Sequence, residues 1–395
     1  MPASNKFPDL PAQVYLDNAD FSSLTDPKRD ADWRSRNIAR LKNGVSNGVI
    51  QCRFSLAHII EGSPATLHVT EPGIRRLRLI RELCGRHAFR SPFDLVTDEL
   101  RARARNATLD PKVAHADNGR WMPGLDDFVA DLEKGKLETI TRIKSLPRPL
   151  RRTLLTRDGN GVNFRTGREE AAKQLRELAK TLPGFEQCAD VFRGFYSGQC
   201  SAQDVEDAFL RPLADPKEFA AVYLANFERM EKLLSWLREL GAENVERFTT
   251  LRRKLWDIAP TWTNEERSTL AGTHYQEFRE RMLCAPSKEI VQKLIGKDSG
   301  FEAFRNLEVA ARAAPTYFSF ADAYLTVLSR SLLPPEHPHR LKRSDFGDMV
   351  HAAYIPHVDY FRCDVAMADY FRELGQRFGT MILPSLEELF DCIGL

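Results

Sequence analysis

Short apolar runs closed by a carboxylate or a turn stand at the two ends of this chain. Val14-Tyr15-Leu16 runs into Asp17, so Gln13 to Asp17 predicts a buried strand with an acid at its carboxyl end. Val49-Ile50-Gln51-Cys52 predicts a second strand, Asp359 to Arg362 a third that ends at Asp364, and Thr380 to Leu383 a fourth. Helical spacing fills the intervals. Trp33 to Asn43 carries a basic face and is expected to break over Gly44 to Gly48. Ser55 is placed to cap a helix that turns Leu56, Ile59 and Ile60 inward and ends at Glu61 and Gly62, and another follows from Glu71 to Gly85. Asp345 to Tyr354 and Ala366 to Gly375 predict two more near the C-terminus.

From about residue 110 to 335 the pattern is helix after helix. Glu169 to Thr181, Lys217 to Leu240, Ala242 to Ile258, Asn264 to Leu283, Ser287 to Gly296 and Ser319 to Leu332 all place apolar residues at i, i+3, i+4. Leu182-Pro183-Gly184 and Ala259-Pro260 punctuate this block, and no fixed repeat runs through it. Leu333 to Pro338 marks its end. Each α/β piece is too small to cover both faces of a parallel sheet by itself, so the two are expected to form one domain, residues 1–110 with 336–395, interrupted by an all-helical insertion over 111–335.

Composition narrows the function classes. The 395 residues carry 57 Lys or Arg against 55 Asp or Glu, are 43% hydrophobic and contain no run of 18 apolar residues. Disorder, a collagen-like chain and a membrane span are excluded, as is coating of nucleic acid by bulk charge. Seven cysteines without a C-x-x-C spacing read as reduced thiols, and the first residues lack a signal or transit pattern, so a cytoplasmic location is expected. The charge is uneven. Residues 1–110 hold 17 basic against 13 acidic side chains, whereas 335–395 hold 6 against 10.

Four acids stand out by position: Asp17 and Asp364 at strand carboxyl ends, Glu61 on the second helix and Asp348 at a helix start. Acids at strand carboxyl ends face the crevice where α/β sheets bind ligands. Singly, each has a structural explanation as a turn residue, a cap or a solvated helix end. Together they sit in three strings. These are Val14 to Asn18, then Val49 to Glu61, then Asp348-Met349-Val350-His351-Ala352-Ala353-Tyr354 leading to Tyr360-Phe361-Arg362-Cys363-Asp364.

Those strings resemble the successive motifs of PIN-like nuclease domains, over roughly residues 10–100 and 340–395. The resemblance implies a three-layer α/β fold with a central, mostly parallel sheet. It also implies that Asp17, Glu61, Asp348 and Asp364 bind catalytic Mg²⁺ or Mn²⁺, with Asp345 and Asp359 as competing carboxylates. Hard oxygen ligands suit those ions, and a pair of them would activate a water and stabilise the leaving 3′ oxygen of a phosphodiester. The expected activity is endoribonuclease, with a single-stranded or structure-specific DNA nuclease and a non-catalytic interaction protein as alternatives. The implied partners are nucleic acid and a regulatory protein, as for a toxin or defence effector held in check; no membrane is implied. The chain departs from the family in an insertion of about 225 residues, 111–335, lying between its second and third acids.

An acidic centre needs a basic rim to attract phosphate. Arg36 and Arg40 on one early helix, Arg76 on the next and Arg103 beyond it represent the candidate clusters, with Arg148 to Arg152 in the helical block, although most such clusters are solvated faces. Ser22 and Ser55 are nearer to caps than to ligands. His337, His339, His351 and His357 lack a metal-binding spacing and read as loop or core histidines, and the glycines from Gly159 to Gly167 lack the G-K-[ST] ending of a phosphate loop.

Overall fold

In a computed structural model the described residues are 6–7, 10–64, 66, 70–163, 188–258, 261, 263, 265–266, 270–297, 299–332 and 342–395. The expected helix Glu169 to Thr181, the punctuation at 182–184 and 259–260, the boundary at 333–338, and His337 and His339 lie outside them.

The fold is mixed α/β. Four strands, β1 (Ala12–Tyr15), β2 (Ile50–Cys52), β5 (Tyr360–Arg362) and β6 (Met381–Leu383), form one sheet in the order β2-β1-β5-β6, and every pair is parallel. The two ends of the chain therefore meet: Val14 pairs with Tyr360 and Tyr15 with Phe361. Strand alternation gives each face its own cover. Tyr15 and Phe361 stack at 5.0 Å and join a core with Phe318, Phe371 and Leu374. On the other face Ile50 meets Gly44 of helix α2 (Ala31–Ser46), where a Cβ would lie 2.6 Å from Leu395. The close approach calls for glycine at 44, and the break expected over Gly44 to Gly48 falls late in that interval, where α2 ends at Ser46 and Gly48 takes a φ of 68°.

Other helices build out from the sheet. In chain order they are α1 (Asn18–Thr25), α3 (Leu56–Gly62), α4 (Glu71–Cys84) and α5 (Pro92–Ala104). A short antiparallel pair, β3 (Ala88–Phe89) with β4 (His115–Ala116), was not legible in the pattern. Contacts divide the chain into a unit of residues 1–121 and 233–395, and a unit of 122–232. The second unit contains α6 (Asp126–Lys144), α7 (Arg148–Leu154), α8 (Ala189–Ser197), α9 (Ala202–Leu210) and α10 (Pro216–Ala225), around small cores such as Leu132, Phe192, Phe195 and Val205. This division differs from the expected insertion over 111–335. The residues that follow the second unit carry apolar stripes that join the sheet's own core.

Those residues include α12 (Tyr275–Cys284), α13 (Lys288–Ile295), α14 (Leu307–Ala313) and α15 (Pro315–Leu332); α11 (Phe227–Ile258) begins within the second unit, and α16 (Arg343–Ala352), α17 (Val365–Phe378) and α18 (Leu386–Ile393) complete the chain. The expected break near Gly241 is absent, because α11 runs through it, and the chain breaks instead at Asn226. A π-helical turn, Leu270–His274, precedes α12. All seven cysteines are free. No helix of the described residues is long and apolar enough to cross a membrane.

The start of α15 depends on a residue from elsewhere. Glu99 of α5, 2% exposed, accepts the backbone N–H of Thr316 at 2.9 Å and of Tyr317 at 3.0 Å. It satisfies two of the donors that open a helix. Burial, opposed by these hydrogen bonds, pushes the carboxyl up to about 7. Glu99→Ala strands both amides away from water and is expected to cost about 2–4 kcal/mol. In urea titration the midpoint should fall without a change in slope.

Candidate functional site

The parallel sheet has a topological switch point between β1 and β5. From β1 the chain moves to β2 on one side, and from β5 to β6 on the other. Crevices outside the carboxyl ends of strands at such a point are where open α/β sheets bind ligands. Asp17 follows β1 and caps α1; Asp364 follows β5 and caps α17, its Oδ1 accepting the Met367 N–H at 2.8 Å. Sequence placed both acids at strand ends, and the sheet order places those ends side by side.

Two helices bring the other acids. Glu61 lies near the end of α3, and Asp348 lies on α16 one residue after Gly347, where a Cβ would stand 2.0 Å from Glu61 Oε1. The carboxylates feel one another. Burial first, then Asp17, Glu61 and Asp364, push the Asp348 carboxyl up to about 8 against the pull of His351. Burial also raises Asp17, with Glu61 adding to the effect and His351 and Arg362 opposing it. Glu61 behaves differently: burial works against its ionisation, but His351, Asn18 and Arg76 outweigh it and hold the carboxyl low.

The expectation was of four carboxylates converging on shared ions. Among the described residues, no three His, Cys, Asp or Glu side chains stand close enough to hold a metal ion. The reasons are local. Asp364 is engaged as a helix cap, Asp17 shares a capping box with Asp20, and Glu61 leans on Asn18 Nδ2 at 3.0 Å and His351 Nε2 at 3.5 Å. Repulsion between carboxylates favours such separate partners.

The donor set nevertheless fits a hard divalent cation in kind. Every acid offers oxygen, Asp348 is buried beside other carboxylates, and Asn18 Oδ1 is enclosed without a hydrogen-bond partner beside Glu61. Asp359 and Asp345 are committed elsewhere. Asp359 precedes β5 and accepts the N–H groups of Lys6 and Gln13, both at 2.7 Å, while Asp345 accepts the Lys342 N–H at 2.8 Å.

Cations surround the acids. Arg362 binds Asp20 at 2.7 Å, and its Nε and Nη1 are enclosed without partners. Arg76 donates to Ser22 Oγ at 3.1 Å and acts on Glu61. The other expected phosphate contacts are placed differently. Arg40 lies 4.0 Å over the Phe390 ring and donates to Leu395 O, Arg103 lies 5.7 Å over Phe304 and donates to Ala303 O, and Arg36 is exposed and bonds back to Asp32 O.

His351, expected to be a core histidine, is the principal residue that sequence reasoning passed over. It is 3% exposed, and burial, which opposes its charge, is outweighed by Glu61, Asp17 and Asp348, so that its pKa rises to about 9. The available signal was its spacing: three residues after Asp348, it shares that residue's helix face. Arg362, two residues before Asp364, and Asn18, next to Asp17, were visible only as neighbours of the acids.

Gly347→Ala tests this geometry. The new Cβ meets the movable end of Glu61 rather than backbone, so the unfolding midpoint should change by no more than about 2 °C. If the acids hold a metal, displacing Glu61 should weaken Mn²⁺ binding at least about tenfold in calorimetry. In comparisons with known proteins, the chain matches no family model, no curated protein and no solved structure.

Proposed function

We propose that this chain is a divalent-metal-dependent nuclease with a PIN-like arrangement, acting on RNA in the first instance. The observation that carries this reading is that Asp17 and Asp364 follow the neighbouring strands β1 and β5 at the switch point, with Glu61 and Asp348 electrostatically coupled to Asp17. Asp17, Glu61, Asp348 and Asp364 would hold Mg²⁺ or Mn²⁺. When bound, the ion supplies Lewis acidity to the phosphodiester and makes a water acidic enough to attack it.

The chain's own residues do the rest. His351 and Asn18 keep Glu61 ionised and oriented, while Arg362 and Arg76 set positive charge beside the acids to offset their repulsion of a phosphate. A second source of attraction lies in the unit of residues 122–232. Between Lys134 and Arg157 the sequence carries eight Lys or Arg and a single acid, Glu138, and α7 within it buries no residue. A segment so basic in a chain of net +2 suits a polyanion.

The decisive experiment incubates the purified protein with labelled RNA, single-stranded DNA and double-stranded DNA, in Mn²⁺ or EDTA, beside Asp17→Asn. Cleavage of RNA that needs Mn²⁺ and falls at least about a hundredfold in Asp17→Asn is expected. Cleavage confined to DNA would move the substrate class, and equal cleavage by the variant would remove the mechanism. A non-catalytic interaction protein is the second reading, favoured by the lack of three acids at metal-holding distance among the described residues. It predicts no stabilisation by Mn²⁺, whereas a ligand at a hundred times its dissociation constant adds about 2.7 kcal/mol.

A further inference from the structure

A continuous chain of buried polar groups runs behind the acids. His351 Nδ1 lies 2.5 Å from Tyr15 Oη, Tyr15 Oη lies 2.7 Å from Ser55 Oγ, and Ser55 Oγ lies 3.1 Å from His58 Nδ1. His58 Nε2 reaches the Leu16 carbonyl at 2.7 Å. The proton positions follow from one fixed donor. The Ser55 backbone N–H donates to His58 Nδ1 at 3.0 Å, so that nitrogen is the acceptor and Nε2–H donates to Leu16. This is a helix capping box with histidine where Glu or Gln is usual. Tyr15, Ser55 and His58 are all fully buried.

Four polar side chains enclosed among aromatic rings are costly unless each is satisfied, and such networks fix one arrangement when they are. Tyr15 stacks on Phe361 and Tyr354 while its hydroxyl serves only the network, and His351 packs against both Tyr15 and His58. One polar atom is left over. His351 Nε2 is enclosed, has no hydrogen-bond partner, and stands 3.5 Å from Glu61 Oε2. The chain also links three of the acid-bearing elements: α16 carries Asp348 and His351, α3 carries His58 and Glu61, and Leu16 directly precedes Asp17.

We propose that His351 is a positioning residue for Glu61, and that Tyr15, Ser55 and His58 are the brace that fixes its ring against the main chain at Leu16. This rests on the metal-centre reading for its consequence, the placing of Glu61 as a ligand, but the link between His351 and Glu61 exists without any ion. The brace acts through orientation. Of its members only Tyr15 feels the acids, Asp17 and Glu61, and it makes no hydrogen bond to either.

Two measurements on the full chain test the proposal. In metal-free protein with ¹⁵N-labelled histidine rings, the His351 resonances should move on Glu61→Gln and again on Tyr15→Phe. In calorimetry with Mn²⁺ alone, His351→Gln and Tyr15→Phe should each weaken binding about 10- to 100-fold, the range found when groups that orient a metal ligand are removed. Tyr15→Phe keeps every ring contact, so it serves where His351→Gln fails to fold. His351 resonances indifferent to Glu61→Gln would overturn the proposal. Wild-type Mn²⁺ affinity in both variants would do the same while leaving the metal centre standing. A wild-type protein that binds no Mn²⁺, yet shows the resonance shifts, would overturn the metal-centre reading and retain His351 as the group that positions Glu61.

Discussion

Asp348→Asn should make the metal-free protein more stable while removing its response to Mn²⁺. In the native chain this carboxyl is buried and crowded by Asp17, Glu61 and Asp364, which push it up to about 8. A carboxyl raised on folding binds its proton more tightly in the native state, so it subtracts stability as pH rises from the unfolded value near 4 toward 8. The amide carries no charge and removes that cost. At pH 8 without divalent ions the variant should gain about 1–3 kcal/mol, or about 2–4 °C in unfolding midpoint, and the gain should vanish near pH 4. Mn²⁺ should then raise the midpoint of the wild type and leave the variant unmoved. Such opposition between stability and function is usual where a site stores uncompensated charge. Equal Mn²⁺ stabilisation of both proteins would take Asp348 out of the site.

Arg362→Met should produce the largest loss of stability. Arg362 is 14% exposed and Asp20 is 2% exposed, with 2.7 Å between Nη2 and Oδ1. Burial, with Arg362 opposing and Asp17 reinforcing it, already pushes Asp20 up to about 7. Removing the guanidinium leaves a buried carboxylate without its partner, which typically costs about 3–5 kcal/mol. The loss has a definite pH dependence. The stranded carboxyl can take up a proton, so the destabilisation should be full at pH 8 and should shrink as pH falls toward 5. Asp20→Asn in the same chain should recover most of it. Urea midpoints for the two single variants and the double variant, at pH 8 and pH 5, give the comparison.

The parts of the fold that the sequence made legible are those in which period and punctuation agree. Val14-Tyr15-Leu16 before Asp17 and Tyr360-Phe361-Arg362 before Asp364 are buried strands whose carboxylates begin the next helix, and both were visible as apolar runs with a terminal acid. That the two ends form one sheet followed from the need of a parallel sheet for cover on both faces. Helix α1 escaped notice because Asn18-Ala19-Asp20 reads as turn chemistry, whereas here Asp17 and Asp20 make a capping box and Phe21 and Leu24 turn inward. The extent of the helical block was less legible. Helical period shows that α15 has an apolar stripe without showing which core it faces, and Phe318, Ala323, Leu325 and Val327 face the sheet's core.

At the candidate site, the positions of four acids at strand and helix ends could be read from the sequence, but not the groups packed behind them. The network behind Glu61 joins residues 15, 55, 58 and 351, and nothing in their local patterns pairs them; only the register of β1 with β5 and the crossing of α3 with α16 do. Arg40 and Arg103 show the converse. Both lie in basic clusters that attract a phosphate reading, and both are held by an aromatic ring and a backbone carbonyl. A cluster of arginines records charge, and its engagement is set by packing from distant segments.

Crystals soaked in Mn²⁺, with diffraction recorded at the manganese edge, interrogate the shared acid centre most directly. Strong anomalous density among Asp17, Glu61, Asp348 and Asp364, lost in crystals of Asp17→Asn, is the result expected. Density that appears only at other surfaces, or none at all at an ion concentration that supports cleavage, would contradict a metal centre at the junction of β1 and β5.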